Sequence, residues 1–218
     1  MKKSFVIIGL GRFGLGIVKT LSELKSDVIA IDVDKERVSK AAEYIDHCVI
    51  CDATKINNLR ELGVNNVDHA VVAIGNNLQA TLLTTINLKE LGIKQITVRV
   101  DDVEYVSVME RIGATEVIVP EEASAHALAN QIVSDSILDY HKVEKDFGLI
   151  QIKVSPHFNE TSLIDLDLRN TFDVNVVGII RDKKFFIPKG HDLIKPLDIV
   201  TVIGKTDKIT KFDRFINK

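Results

Sequence analysis

Short runs of branched aliphatic residues alternate with segments whose apolar positions recur every three or four residues through the first 120 positions of the chain. The runs occupy 4–8, 27–31, 47–50, 67–74, 95–100 and 116–119. Near-continuous apolarity over so few residues marks strands covered on both faces. Between them, 12–24, 35–44, 55–62, 77–91 and 103–112 carry the helical period. Strands joined in turn by helices predict a parallel, doubly wound α/β sheet, since a parallel pair needs a crossover connection.

After Pro120 the pattern changes. A longer helical stretch, 121–138, holds Ala123, Ala125, Ala127, Leu128, Ala129, Ile132 and Val133, and has no following strand of the first sheet to serve. It reads as a connector suited to packing between subunits, and the charged stretch 140–148 as the domain boundary. From 149 the chain alternates with period two, then shows fuller apolar strands at 174–180 and 199–203 and short helices at 161–168 and 205–215. The expected organisation is a domain over 1–120, a crossover helix and linker over 121–148, and a small α+β domain over 149–218. A module so small buries a low fraction of its surface, which favours pairing with another copy.

Composition narrows the class. The chain has 218 residues, 45% hydrophobic and 27% charged, with 12 Gly and 4 Pro, which excludes a disordered or collagen-like polymer. Apolar stretches such as 70–74 fall far short of a membrane span, and the start Met1, Lys2, Lys3, Ser4 leads to a glycine cluster rather than a secretory leader. A net charge of −3 with no block of like charges gives no support for a nucleic-acid partner. Cys48 and Cys51 fit a reduced cytoplasmic chain.

Candidate chemistry begins directly after the first strand. Gly9, Leu10, Gly11, Arg12, Phe13 and Gly14 form G-x-G-x-x-G. The first glycine permits a tight turn, the second lets a phosphate approach the backbone, and the third lets the helix lie close to the strand. Free N–H groups at the helix start then face the phosphates, with Arg12 adding charge. Asp32 closes the second strand 18 residues beyond Gly14, where a carboxylate accepts both ribose hydroxyls and repels a 2′-phosphate. The combination predicts an adenine nucleotide site on a Rossmann-like sheet; the competing reading is a glycine-rich turn that binds nothing. Asp52, Ala53 and Thr54 after the third strand, and Gly75, Asn76 and Asn77 after the fourth, sit where open sheets bind ligands, and equally where Asp, Asn and Thr cap helices.

His47, Cys48 and Cys51 make a poor zinc site, because neighbouring side chains of a strand point to opposite faces; structural cysteines are the expectation. The last domain contains Asp165, Asp167, Arg169, Asp173 and His191 but no nucleophile motif, so no catalytic residue is assigned. An NAD-dependent oxidoreductase would need a substrate domain after 120, and a DNA-binding redox sensor a basic recognition helix.

From end to end, the chain resembles the Ktr-type regulatory subunits of bacterial potassium uptake systems, which consist of two RCK (regulator of potassium conductance) domains. The residues carrying the resemblance are the Gly9 to Gly14 loop, Val71 to Gly75 followed by Asn77, Gln79 and Ala80, Leu88 to Leu91, Ile112 to Ala114, Pro120 with Glu121, and Asp165 to Arg169. The resemblance implies a cytoplasmic homo-octameric ring of four dimers, peripheral to the membrane, that binds ATP or ADP and docks beneath a potassium-translocating membrane subunit. NAD is the alternative nucleotide. It further implies that Gly9, Gly11, Arg12, Phe13 and Gly14 form the phosphate loop and that Asp32 holds the ribose. Asp52, Ala53 and Thr54 lie beside the adenine, with Ile74, Gly75, Asn77 and Gln79 on the next edge loop and Arg99 near the phosphates. Glu121 matches the carboxylate that helps hold a divalent cation, magnesium or calcium, against the γ-phosphates. In the last domain, Leu163, Ile164, Asp167, Arg169, Phe172 and Asn175 match the cyclic di-AMP cleft formed between two copies in some members. One departure is Leu15 and Gly16, where relatives often show Gly-Ser.

Overall fold

Successive side chains of a strand face opposite ways. In β1 (Ser4–Ile8), Val6 and Ile8 join one hydrophobic cluster and Ile7 joins another, and all three are buried. A strand buried on both faces needs a helical layer on each side. In the computed structural model, which describes residues 3–75, 77–132 and 135–218, the chain supplies both. On one side α1 (Arg12–Glu23) and α2 (Lys35–Ala41) contribute Val18, Val38 and Ala41 to the Ile7 cluster. On the other, α3 (Ile56–Glu61), α4 (Leu78–Glu90) and α5 (Val106–Ile112) contribute Leu59, Leu88 and Met109 to the Val6 and Ile8 cluster.

The remaining strands are β2 (Asp27–Asp32), β3 (His47–Ile50), β4 (His69–Val72), β5 (Gln95–Arg99) and β6 (Glu116–Ile118). All pair in parallel in the order β3-β2-β1-β4-β5-β6, a Rossmann-like sheet. The order reverses between β1 and β4. At such a switch point the connections leave in opposite directions and open a crevice beyond the carboxyl ends of the strands.

The chain divides into two compact units, Met1–Glu121 and Glu122–Lys218. Helix α6 (Pro120–Ile132) stops short of the expected 138, and Ile137 and Leu138 belong instead to β7 (Ile137–Glu144). Val133, part of the expected helix, lies outside the described residues. The stretch 140–148, expected as the boundary and linker, lies within an antiparallel pair of β7 with β8 (Phe147–Lys153). Two register shifts in that pair break the period-two pattern, and β7 is the sheet's edge, where charged side chains guard unpaired backbone.

The second unit continues with β9 (Thr161–Ser162), α7 (Leu163–Leu166), α8 (Leu168–Phe172), β10 (Val174–Arg181), β11 (Lys184–Phe186), β12 (Leu193–Ile194), β13 (Ile199–Lys205) and α9 (Thr206–Ile216). The expected single helix at 161–168 is a two-residue strand followed by two short helices, which Asp167 separates with a left-handed φ of 43°. Its five-stranded sheet, β11-β10-β13-β8-β7, is antiparallel. Ile209, Phe212 and Ile216 of α9 are buried in one cluster with Ile150, Ile152, Val200 and Val202 of the strands. This is the expected small α+β domain after a parallel sheet. No helix among the described residues is long and apolar enough to cross a membrane.

Candidate functional site

The turn between β1 and α1 lies against the end of β4. Gly9 has φ 95°, and a Cβ there would fall 2.6 Å from the carbonyl carbon and oxygen of Ala73, so no side chain fits. At Gly14 a Cβ would overlap the Gly9 carbonyl oxygen, which lets the first turn of α1 sit directly on the loop. Gly11 differs: a Cβ there meets nothing within 4 Å, and the space it would fill opens onto the crevice. Gly11 is the N-cap residue of α1 with no side-chain cap, and the first turn contains no acidic residue. Uncapped N–H groups and the positive end of a 12-residue helix therefore face that space, an arrangement suited to an anion.

A cavity of about 1050 Å³ occupies the crevice and brings Gly11, Arg12, Phe13, Ile74, Gly75, Asn77, Arg99 and Glu121 together. Arg99 donates through Nη2 to Glu121 at 2.7 Å and to Asp101 at 2.9 Å, and its guanidinium lies 5.8 Å from the Phe13 ring centroid. Its Nε is buried without a partner. An orphaned cationic N–H beside a bare helix start fits a ligand that carries oxygen anions. The Glu121 carboxyl is held below the usual range, first by the backbone N–H at the helix start and then by Arg99.

An adjoining cavity of about 420 Å³ shares Arg37, Ile74 and Asn77 with the first and brings in Gly9, Asp32, Asp52, Ala53 and Thr54. Asp32 is buried. Its Oδ2 accepts the Leu10 N–H at 2.6 Å and its Oδ1 the Asp34 N–H at 2.9 Å, while Arg37 Nη1 stands 3.6 Å away. These backbone bonds fix the carboxylate beside the glycine turn. Asp52 Oδ1 accepts both the N–H and the hydroxyl of Thr54, and the hydroxyl is the main reason its carboxyl titrates below the ordinary value. Asn87 Nδ2 holds the Ala53 carbonyl at 3.1 Å. Asn77 caps α4, accepting the Ala80 N–H, so the capping and lining readings both apply to it. Asn76 lies outside the described residues.

Gln79 is not among the residues lining either cavity, because the side of α4 that faces them carries Asn77, Ala80 and Thr84. Arg37 and Lys40, a basic pair one turn apart on α2, also line the larger cavity; the sequence signal for them is Asp34, which caps the start of that helix. Cys48 and Cys51 pack into clusters on opposite faces of the sheet, and burial raises both thiol pKa values.

In the second unit a cavity of about 630 Å³ brings together Leu163, Ile164, Asp167, Arg169 and Asn175. Arg169 Nε donates to Asn175 Oδ1 at 3.0 Å, rather than pairing with Asp165 or Asp167. Those carboxylates are engaged locally, Asp165 by the Ser162 hydroxyl and Asp167 by Asn170. Phe172 is not at this cavity; it packs in the core against Phe212 and Phe215, with ring centroids 5.6 and 5.2 Å away.

Residues 5–120 match the TrkA-N domain and residues 149–217 the TrkA-C domain. The Ktr system potassium uptake protein C of Bacillus subtilis is 40% identical over 215 residues, covering 98% of this chain and 97% of that protein. The fold is that of the GsuK channel (TM-score 0.70, 10% identity), where all of this chain matches 40% of the channel chain. GsuK bound to ADP shares 26% identity over 60% of this chain and 34% of that one, with a TM-score of 0.52. A chain matched by both domain models and aligned with a Ktr protein over nearly the whole of each belongs to the TrkA-N/TrkA-C family, the RCK-type regulatory, non-catalytic subunits of potassium uptake systems.

Proposed function

We propose that this chain gates a potassium-translocating membrane partner from the cytoplasmic side by binding ATP or ADP in its first unit. The observation that carries the reading is the Asp32 carboxylate, fixed by two backbone N–H groups beside an uncapped helix start, with Arg99 and its unpartnered Nε at the adjoining cavity. The carboxylate matches ribose hydroxyls, and the helix start with Arg12 and Arg99 matches phosphates. The ADP named with the GsuK structure supports the same class of ligand.

ATP exceeds ADP by one phosphate. That phosphate can shift a conformational equilibrium only through contacts that differ between two states. The Arg99–Glu121 pair at the cavity mouth is suited to this role, since an additional phosphate competes for Arg99 and frees Glu121 as an oxygen ligand for a divalent cation. Magnesium is commonly held by one or two carboxylates together with ligand phosphates, so one carboxylate suffices. Assembly as a homo-octamer built of four dimers would carry the shift to the membrane subunit.

For the second unit we infer a cyclic di-AMP cleft on a two-fold axis, where each copy offers Arg169 and Asn175 to a phosphate and Leu163 and Ile164 to an adenine. Calorimetric titration of the full chain tests both sites. Expected are saturable ATP and ADP binding, weakened roughly tenfold to a hundredfold in D32A, and cyclic di-AMP binding lost in R169A while ATP binding persists. Absence of cyclic di-AMP binding by the wild type removes the second ligand and leaves the first.

A further inference from the structure

Along α4, Asn77, Ala80 and Thr84 line the smaller cavity, and they run from an exposed residue to a fully buried one. A threonine within a helix commonly returns its hydroxyl to the carbonyl one turn back. Thr81 does so to Asn77 at 3.0 Å, and Thr85 does so to Thr81 at 2.7 Å. Thr84, between them, does not: its Oγ1 is buried and without a partner. A buried hydroxyl left unpaired is costly, and such an orphan at the wall of a cavity is a demand for a ligand atom.

The chemistry of the surrounding wall restricts what that ligand can be. Ile8, Ile74, Ala53 and Cys51 make it largely apolar, and its charged groups are the carboxylates of Asp32 and Asp52 against the single guanidinium of Arg37, which stands 3.6 Å from Asp32. Phosphate is disfavoured here and is served by the neighbouring cavity. A flat heterocycle with a few polar edge atoms fits. With its ribose held at Asp32, a purine inserted between these walls would present the edge farthest from the sugar, where adenine carries its amino group, to the deepest polar atom.

We propose that Thr84 is a specificity-determining residue for the base, its hydroxyl hydrogen-bonding the amino-bearing edge of adenine at the floor of the cavity. This rests on the reading of the paired cavities as an adenine nucleotide site. A hydroxyl both donates and accepts, and Thr84→Val removes that capacity while keeping the shape, whereas Thr84→Ser keeps the hydroxyl.

The test is calorimetric titration of the full-length wild type, T84V and T84S with ATP, ADP and ITP, together with thermal unfolding of the ligand-free proteins. T84V is expected to weaken ATP and ADP by the same factor, about tenfold for one hydrogen bond. It should also bring ATP and ITP affinities closer together, and T84S should stay near wild type. Ligand-free T84V is expected to melt no lower than wild type, because it deletes an unpaired polar group. Wild-type ATP affinity in T84V, an unchanged ATP-to-ITP ratio, or a ligand-free T84V that melts well below wild type or fails to fold each overturns the role of Thr84 while leaving the nucleotide site standing. Failure of the wild type itself to bind ATP and ADP overturns both.

Discussion

The cavities of the two units are built on opposite plans. In the first unit the lining side chains stand on a backbone frame: a glycine turn pressed against β4, an uncapped helix start, and two main-chain N–H groups that hold a carboxylate. In the second unit the wall is side chain, and part of it faces solvent, with Ile164 53% and Ile187 78% exposed and Arg169 satisfied by Asn175. A parallel sheet with a topological switch point encloses a crevice within one chain. An antiparallel sheet with short helices leaves an open apolar wall, which a symmetry-related copy can cover.

If the two plans are independent, damage to one leaves the other intact. The largest effect is expected at Asp198, buried under Arg181, which donates to it at 2.8 and 2.7 Å, and under the Lys195 N–H. D198A is expected to cost about 3 kcal/mol, since removing one partner strands the other charge and an unpaired N–H. Chemical denaturation followed in parallel with ATP titration checks it; the second unit should unfold earlier while ATP still binds.

In the first unit G14A should cost about 3 kcal/mol, the upper range for overpacking, because the added methyl meets backbone that cannot move aside. G178A provides the contrast within the second unit. Its methyl would overlap the Phe185 ring, which is largely exposed and can swing away, so about 1 kcal/mol or less is expected. G11A should leave stability within about 0.5 kcal/mol of wild type yet impair nucleotide binding. Thermal melts with and without ATP separate the three.

E121Q should keep ADP binding but reduce the magnesium dependence of ATP binding, read as the ratio of ATP affinities with and without the metal. Identical metal dependence in the variant removes Glu121 from the site.

The smallest effect concerns His69, whose Nε2 lies 2.8 Å from Thr97 Oγ1, which in turn donates to Glu116. Burial lowers the His69 pKa, opposed by Glu116 and aided by Lys3. The unfolded chain therefore takes up a proton first as pH falls through about 6.5, and stability declines from there down to the folded-state pKa. H69Q should flatten that part of the stability profile and leave the region above pH 7 unchanged.

The sheet and the glycine turn were legible because both are written in local pattern: apolar runs with buried neighbours on each face, and glycines that include Gly9 and Gly14, where a Cβ has no room. Asp32 was legible by spacing. Less visible was what depends on side-chain direction. Gln79 matched a motif but lines neither cavity, Phe172 matched one but packs in the core, and Thr84 looks like any other helical threonine until its missing partner is seen. Strand β7 stayed hidden because bulges interrupt its alternation and its edge position favours charge. The contact of Arg169 with Asn175 of the neighbouring strand is likewise set by tertiary structure.

The claim on which the rest depends is that Asp32, fixed by the glycine turn, holds the ribose of an adenine nucleotide. Calorimetric titration of the wild type and D32A with ATP and ADP tests it most directly. The account predicts saturable binding of both nucleotides to the wild type and a loss in D32A of about 1–3 kcal/mol, roughly tenfold to a hundredfold in affinity, with the variant still folded by circular dichroism. Equal affinity in a folded D32A, or no saturable binding of either nucleotide to the wild type, contradicts it.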